Sequence, residues 1–303
     1  MSRYAVIDLG TNTFHLLIAE REASGKIKEV FRERRFVKLA EEGIDTIGPA
    51  PYRRGMETMK RYRRVLAAHD VPVEQVRVFG TAALRTAGNG QAFMKEVKES
   101  TGIEIRLISG EREAELIYKG VILAVPPTEE RMLIMDIGGG SVEFIIASLQ
   151  GVLWAQSFPV GVAVLYKNFH RHEPILAEET EAIQKFLKKE LSPLTEALGR
   201  FPTQRLVGAS GTFDVLEFFL GEEKAHLLSA TIPSEKFFPF YEQLVSMDSN
   251  QRRNLRGMPP DRVDMIIVAL ILIKTILEIA AIRQITVSAY AMKEGMLHEM
   301  MQA

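Results

Sequence analysis

The chain contains its own opening twice, and this limits its folds more than any other feature. Residues 6–19 read VIDLGTNTFHLLIA and residues 134–147 read IMDIGGGSVEFIIA. Aligned, Asp8 meets Asp136, Gly10 meets Gly138, Thr13 meets Ser141, and Ile18-Ala19 meet Ile146-Ala147, an offset of 128. Residues 77–80 (RVFG) and 205–208 (RLVG) repeat the same offset. One offset shared by two separate segments weighs against chance similarity between apolar strands, so a duplicated domain is predicted. Each copy opens with an apolar strand ending in Asp-x-Gly, then a tight polar turn and a returning apolar strand, the pattern of a hairpin with glycine at its bend.

Beyond the hairpins, strands alternate with helices. The first half reads as helix over residues 51–69, strand 76–79, helix 91–100, strand 103–108 and helix 111–123. The second reads as a third strand over 152–158, helices over 161–169 and 177–198, strand 205–207 and a helix from Thr212. Extra helices follow over 234–254, then a long apolar helix over 262–281, strand 284–287 and a last helix over 292–300. Strands first and alternation afterwards indicate α/β layers. Two half-domains are expected, residues 1–125 and 126–303, with the terminal helix (about 290–303) packing back on the first.

The 303 residues include no cysteine, which excludes thiolate catalysis, disulfides and Cys-based zinc sites and fits a reducing compartment such as the cytoplasm. The start, MSRYAVIDLG, runs directly into a strand pattern, so no leader is expected. Residues 263–282 are the one membrane candidate, but Asp264, Lys274 and Glu278 interrupt them and a core helix is expected instead. The formal net charge is −1, yet residues 1–100 hold 18 Lys/Arg against 13 Asp/Glu. Most of that surplus lies in residues 51–64, where Arg53, Arg54, Lys60, Arg61, Arg63 and Arg64 face only Glu57. The stretch is either a solvated helix face or an electrostatic track for a polyanion.

Phosphate binding requires backbone N–H groups, small residues that allow close approach, and hydroxyl or cationic donors. Asp136-Ile-Gly138-Gly139-Gly140-Ser141 has this composition, and its partner Asp8-Leu-Gly10-Thr11-Asn12-Thr13 adds hydroxyls and an amide. Gly208-Ala-Ser210-Gly211-Thr212 lies between strand and helix, where amides can gather at a helix N-terminus. None of the three is a Walker A loop or a dinucleotide fingerprint. Asp8 and Asp136 each end a strand. They either cap their turns or face one another to hold hydrated Mg²⁺ or another divalent cation. Glu143 lies two residues past Ser141 on the same strand face and either joins that shell or is simply exposed. Ser109 reads as a helix cap with Glu111, Glu113 and Glu115 behind it. The three acids either balance the helix dipole or supply one base for water. Arg85, after a strand end, can fork onto phosphate oxygens. His170 and His172 lack the spacing of a helical metal pair and are expected to be solvent-exposed.

Together these segments resemble the exopolyphosphatase and guanosine pentaphosphate phosphatase family. The marks are AVIDLGTNTFHLLIA, GTAALRTAGN, RLISGEREAELIYKGV, LIMDIGGGSVEFIIA, SFPVGVAVL, LVGASGTF and ITVSAYAMKEGML, in order along nearly the whole chain. The resemblance implies a duplicated actin-like, ribonuclease H-like fold of the ATPase superfamily, with two half-domains flanking a cleft. It implies Glu113 as catalytic base. Phosphate is expected at Asp8, Gly10, Thr11, Asn12, Arg85, Gly138, Gly139, Ser141, Gly208, Ser210 and Gly211, and the carboxylates read above place a divalent metal at Asp136, Glu143 and, through water, Asp8.

The expected reaction is hydrolysis of a terminal phosphate from inorganic polyphosphate or a guanosine polyphosphate. Neither membrane nor sequence-specific nucleic acid is expected as a partner, and a homodimer is left open. A kinase or ATPase on the same fold, or a non-catalytic sensor, are the alternatives. Three departures stand out. Arg112 replaces the first of a common glutamate pair, Val142 stands where threonine is usual, and the helical C-terminal domains of long members are not expected here.

Overall fold

The computed structural model of the chain describes residues 2–22, 27–221 and 227–302. It divides into two compact units, Met1–Gly120 with Met292–Ala303, and Val121–Ala291.

The first unit is built on a five-stranded sheet of order β3-β2-β1-β4-β5. β1 (Arg3–Leu9), β2 (Thr13–Arg21) and β3 (Ile27–Phe36) form an antiparallel meander. β4 (Val76–Gly80) joins the other side of β1 in parallel, and β5 (Arg106–Leu107) follows in parallel. α1 (Pro49–Ala68) and α3 (Gly90–Thr101) cover one face, burying Met59, Tyr62, Leu66, Phe93 and Val97 against Ile7, Phe14 and Leu16. Short α2 (Ala82–Thr86) follows β4. α4 (Gly110–Ala124) follows β5, and the last helix of the chain, α12 (Met292–Gln302), packs on β1 and β2.

The second unit repeats this plan. β6 (Met132–Ile137), β7 (Val142–Ser148) and β8 (Gly151–Phe158) form the meander, while β9 (Arg205–Ala209) and β11 (Gln284–Ser288) add in parallel beyond β6. One strand, β10 (Ser229–Pro233), is added antiparallel to β11 at the edge. Read from β8, the order 3-2-1-4-5 of the first unit recurs, which makes the chain a duplicated actin-like, ribonuclease H-like α/β fold. α5 (Val162–Phe169), α6 (Ala177–Glu190), α7 (Ser192–Arg200), α8 (Gly211–Leu220), α9 (Ser234–Val245), α10 (Ser249–Arg253) and α11 (Ile266–Ile279) complete the unit. β6 and β7 are buried on both faces, which explains why both read as almost unbroken apolar runs. α11 is the predicted core helix: 14 residues, buried nearly all round. Among the described residues no helix is long and apolar enough to cross a membrane.

Strand register refines the duplication. The hairpins keep the offset of 128, since Asp8 pairs with His15 and Asp136 with Glu143. The next strand does not keep it. Asp8 lies beside Phe79 in β4, but Asp136 lies beside Ala209 in β9, so Phe79 and not Thr81 is the counterpart of Ala209. The sequence alignment of residues 77–80 with 205–208 is therefore displaced by two residues. A slip of two keeps every side chain on its own face, so the pattern gives no warning of it.

Several elements differ from the expected ones, short α2 among them. β3 was not anticipated, because it is a charged edge strand, IKEVFRERRF, with little alternation to detect. β10 was likewise not expected. The helix over 177–198 is broken at Leu191, where Pro193 at the start of α7 has no N–H to continue the ladder. β5 is only two residues long.

Candidate active site

The first hairpin turn is closed by Gly10 N–H donating to the carbonyl of Thr13 at 3.1 Å. A Cβ on Gly10 would lie 3.0 Å from that same oxygen, so close approach is why glycine is used. The equivalent turn closes identically: Gly138 N–H donates to Ser141 at 3.0 Å, and a Cβ would sit 2.8 Å from that oxygen.

The two turns are braced by different parts. In the first, the segment after β3 caps the carbonyls, with Val37 and Lys38 N–H on Asn12 (3.0 and 2.9 Å) and Leu39 N–H on Thr11 (2.7 Å). In the second, the entry to α5 does so, with Gly161, Val162 and Ala163 N–H on the carbonyls of Gly140, Gly138 and Gly139 at 3.2, 3.0 and 2.9 Å. With these carbonyls engaged by the protein, the polar groups each turn can direct at a ligand are N–H and hydroxyl groups, the chemistry of an anion site. Gly161 was not anticipated as part of this arrangement. Its α-carbon lies against Gly139 and Gly140, leaving no room for a side chain.

Across the second meander runs a polar row. Asp136 pairs with Glu143, and Glu143 with Ser157. Directly opposed cross-strand residues share a face, so the two carboxyl groups are neighbours. Glu143 is 1% exposed and accepts a hydrogen bond from Ser157 Oγ at 2.6 Å. In the first unit the same positions are Asp8, His15 and Arg34. The carboxylate pair is thus a property of the second unit alone. Among the described residues no group of three or more metal-binding side chains forms a cage. Two neighbouring carboxylates fit Mg²⁺ nonetheless, since that ion takes one or two protein carboxylates and completes its shell with water and substrate phosphate.

The third loop follows β9. Ser210 has φ +76° and ψ 172°, a conformation rarely adopted by residues other than glycine, and its Oγ donates to the carbonyl of Ile137, beside the second turn. Strain of this kind is held in place only where the surroundings determine it strongly. Gly208 lies inside β9 and not on the loop. The ring of Phe213 occupies the space above it, so packing accounts for its lack of a side chain. Gly211 has a different neighbour, the guanidinium of Arg262, which fills the place a side chain would take. Arg262 was read only as the start of an apolar helix. It sits instead in a turn before α11, ion-paired with Asp261 at 3.4 Å.

In the first unit, Ser109 caps α4 by accepting the N–H of Arg112 at 3.2 Å. This fixes the helix phase and separates the three acids: Glu111 and Glu115 are exposed, whereas Glu113 is buried. Arg85, on α2, anchors on the carbonyl of Ile108 at 2.6 Å and brings Nη1 to 3.9 Å from Glu113 Oε2.

Residues 17–303 match the sequence model of the Ppx/GppA phosphatase family. The chain belongs to that family. It is 30% identical to the guanosine-5'-triphosphate,3'-diphosphate pyrophosphatase of Photobacterium profundum, over 98% of this chain and 59% of that protein. It is 31% identical to the Vibrio vulnificus protein of the same name, again over 98% and 59%. The chain therefore spans about three-fifths of the length of these curated relatives. Among solved structures, an exopolyphosphatase from Cytophaga hutchinsonii matches with a TM-score of 0.93 and 36% identity, covering 99% of this chain and 98% of that one. The Aquifex aeolicus Ppx/GppA family member shares the fold, with a TM-score of 0.81 at 23% identity over 98% and 97%.

The departure at Arg112 from the common Ppx/GppA pattern now has a structural counterpart. Arg112 pairs with Glu115 and with Glu299 of α12, and Lys119 reaches Glu299 at 2.7 Å and Glu115 at 2.6 Å. Burial opposes ionisation of Glu299, but Lys119 and Arg112 outweigh it and hold the carboxyl below its ordinary range. Gly295 allows α12 to rest directly on the backbone of Leu116 and Gly120. The helix that carries Glu113 is thus braced by the end of the chain.

Proposed function

We propose that this chain hydrolyses the terminal phosphate of inorganic polyphosphate, of guanosine pentaphosphate, or of both, by attack of water activated by Glu113. The observation carrying this reading is the pair of glycine turns closed by the same hydrogen bond in both units, with their carbonyls engaged by protein. The names of the relatives, pyrophosphatase and exopolyphosphatase, point to the same substrate class.

The N–H groups and hydroxyls of Thr11, Asn12, Gly139 and Ser141 are assigned to phosphate oxygens, with Gly10 and Gly138 allowing the turns to close. Arg85 and Arg262 supply cationic forks, and Ser210 and Gly211 the third loop. Asp136 and Glu143 would hold a divalent cation, with water and substrate completing its shell. That ion would supply charge neutralisation on the phosphate oxygens. Glu113 orients a water molecule and accepts its proton at a carboxylate oxygen as the water oxygen attacks phosphorus. The anhydride bond breaks and the shortened chain leaves as an anion. Loose phosphoryl-transfer transition states gain most from positioning and charge neutralisation, which is what rigid turns provide.

General-base assistance is typically worth ~10²–10⁴-fold, so Glu113→Gln should lower kcat by about that factor with KM little changed. The assay is phosphate release from short polyphosphate, long polyphosphate, guanosine pentaphosphate and ATP, each with and without Mg²⁺. Near wild-type turnover in the variant removes Glu113 from the reaction. Phosphate appearing only on an acceptor molecule, at the expense of ATP, turns the reading into a kinase.

A further inference from the structure

The outer face of α1 is the strongest charged surface that the proposed chemistry leaves unused. Arg53, Lys60 and Arg64 are all exposed and, at 100° per residue, fall within about 20° of one line along the helix. On other helices, Lys95 with Glu99, Lys119 with Glu115 and Lys274 with Glu278 form ion pairs one turn apart. On α1 the basic residues outnumber the single acid, Glu57, by six to one. Arg54 and Arg61 are paired, with Glu41 and Glu33. Among the described residues no carboxylate pairs with Arg53, Lys60, Arg63 or Arg64. Like charges one turn apart repel, as Lys60 and Arg64 must, so the stripe weakens its own helix. Folding gives no reason for such a stripe, whereas an anionic ligand would neutralise it.

The stripe is also aimed. Arg54 donates to the carbonyl of Val37 at 3.0 and 2.8 Å, and Val37 N–H donates to Asn12 in the first glycine turn. Tyr62 OH reaches the carbonyl of Phe14 at 2.9 Å, just past the turn, and Arg3 donates to His69 at the far end of α1, beside the start of β1. The helix therefore begins at the turn end of the sheet and runs away from it. From Arg53 to Arg64 it covers about 16 Å at 1.5 Å per residue.

We infer that this face is a docking track for the distal part of a long linear polyphosphate whose terminal phosphate occupies the turn. This rests on the proposed polyphosphate chemistry and adds to it a preference for long chains. The occupant is a flexible, uniformly charged polyanion, because the stripe offers point charges without the aromatic platforms or base-reading groups of a nucleic-acid surface.

The test is equilibrium binding, independent of hydrolysis, of fluorescently labelled long polyphosphate, of tripolyphosphate and of single-stranded RNA. The proteins compared are wild type, Arg53→Glu/Lys60→Glu/Arg64→Glu, and the same triple change to Gln. At low salt the reversed variant should bind long polyphosphate about tenfold more weakly, with tripolyphosphate affinity changed less than about twofold, as three exposed charges would give. The Gln variant should fall between, and high salt should erase the differences. Unchanged long-chain affinity, or equal loss for tripolyphosphate, returns α1 to a solvated face. A loss confined to RNA overturns the choice of polyanion. Failure of the catalytic reading is seen separately, in the phosphate-release assay of Glu113→Gln.

Discussion

Gly161→Ala perturbs the proposed site without replacing any residue assigned to the ligand. A Cβ at Gly161 falls 2.5 Å from the carbonyl carbon of Gly140 and nearer still to Gly139. Ordinary contact begins at 3.4 Å. The neighbour is backbone, nearest at 2.4 Å, so the entry to α5 and the glycine turn must separate by about 1 Å in an interior already close-packed. The three hydrogen bonds from Gly161, Val162 and Ala163 would stretch together from 2.9–3.2 Å. Overpacking of ~1–3 kcal/mol and weakening of bonds worth ~0.5–1.5 kcal/mol each give an expected loss of about 2–3 kcal/mol after partial relaxation. Activity should fall further than stability suggests, since a misplacement of about 1 Å can cost ~10²-fold in rate. Urea unfolding gives the first quantity and phosphate release by the folded protein gives the second. Gly199→Ala is the control. A Cβ there meets nothing within 4 Å, and the change should be neutral or stabilise by ~0.4–1 kcal/mol. If Gly161→Ala loses stability but keeps kcat/KM within about twofold of wild type, the turn does not position the reacting phosphate and the proposed mechanism fails.

Three further outcomes follow from the same geometry. Glu143→Gln should raise the Mg²⁺ concentration needed for half-maximal phosphate release by about 10–100-fold, and an unshifted Mg²⁺ curve would remove Glu143 from the metal shell. Ser210→Gly should relieve backbone strain of ~1–3 kcal/mol and raise the urea midpoint while lowering turnover; a lower midpoint would show that the hydroxyl bond to Ile137 outweighs the strain. His170 is buried and not solvent-exposed as its sequence context suggested, and its pKa is lowered chiefly by that burial, against the pull of Glu173 and with the push of Arg252. The folded state keeps it neutral while the unfolded chain takes up a proton below its ordinary 6.5, so stability should fall as pH drops from 6.5 toward the depressed folded value. His170→Asn should flatten that slope, and an unchanged slope would assign it to other groups.

What could be read from the sequence follows from what each feature had to satisfy. The hairpins were legible because an Asp-x-Gly turn between two buried strands leaves few alternatives, and both turns are closed by the bond this geometry requires. The choice of Glu113 among three acids reached us through family resemblance, yet a signal lay in the helix itself. Residues 113, 116, 117, 120 and 121 fall on one side of α4, so the buried stripe of Leu116, Ile117 and Val121 passes through Glu113 and misses Glu111 and Glu115. β3 was hidden because an edge strand carries the charges that prevent edge-to-edge pairing. Gly161 and Arg262 were hidden for another reason: each owes its place to a residue far away in the chain, Gly140 and Gly211 respectively, and no local pattern encodes such a partner.

Duplication explains why the remainder could be misjudged. Copying preserved what folding needs, namely the strand order, the turn closure and the faces of the strands. It did not preserve the row that crosses them, Asp136–Glu143–Ser157 in one unit and Asp8–His15–Arg34 in the other. Nor did it preserve the brace behind each turn, a loop after β3 in one and the start of α5 in the other. Positions that differ between copies of one scaffold are not required by the scaffold. In this molecule those positions separate a carboxylate pair suited to a cation from a row that carries basic groups. That asymmetry is the physical ground for proposing a cation site in the second unit.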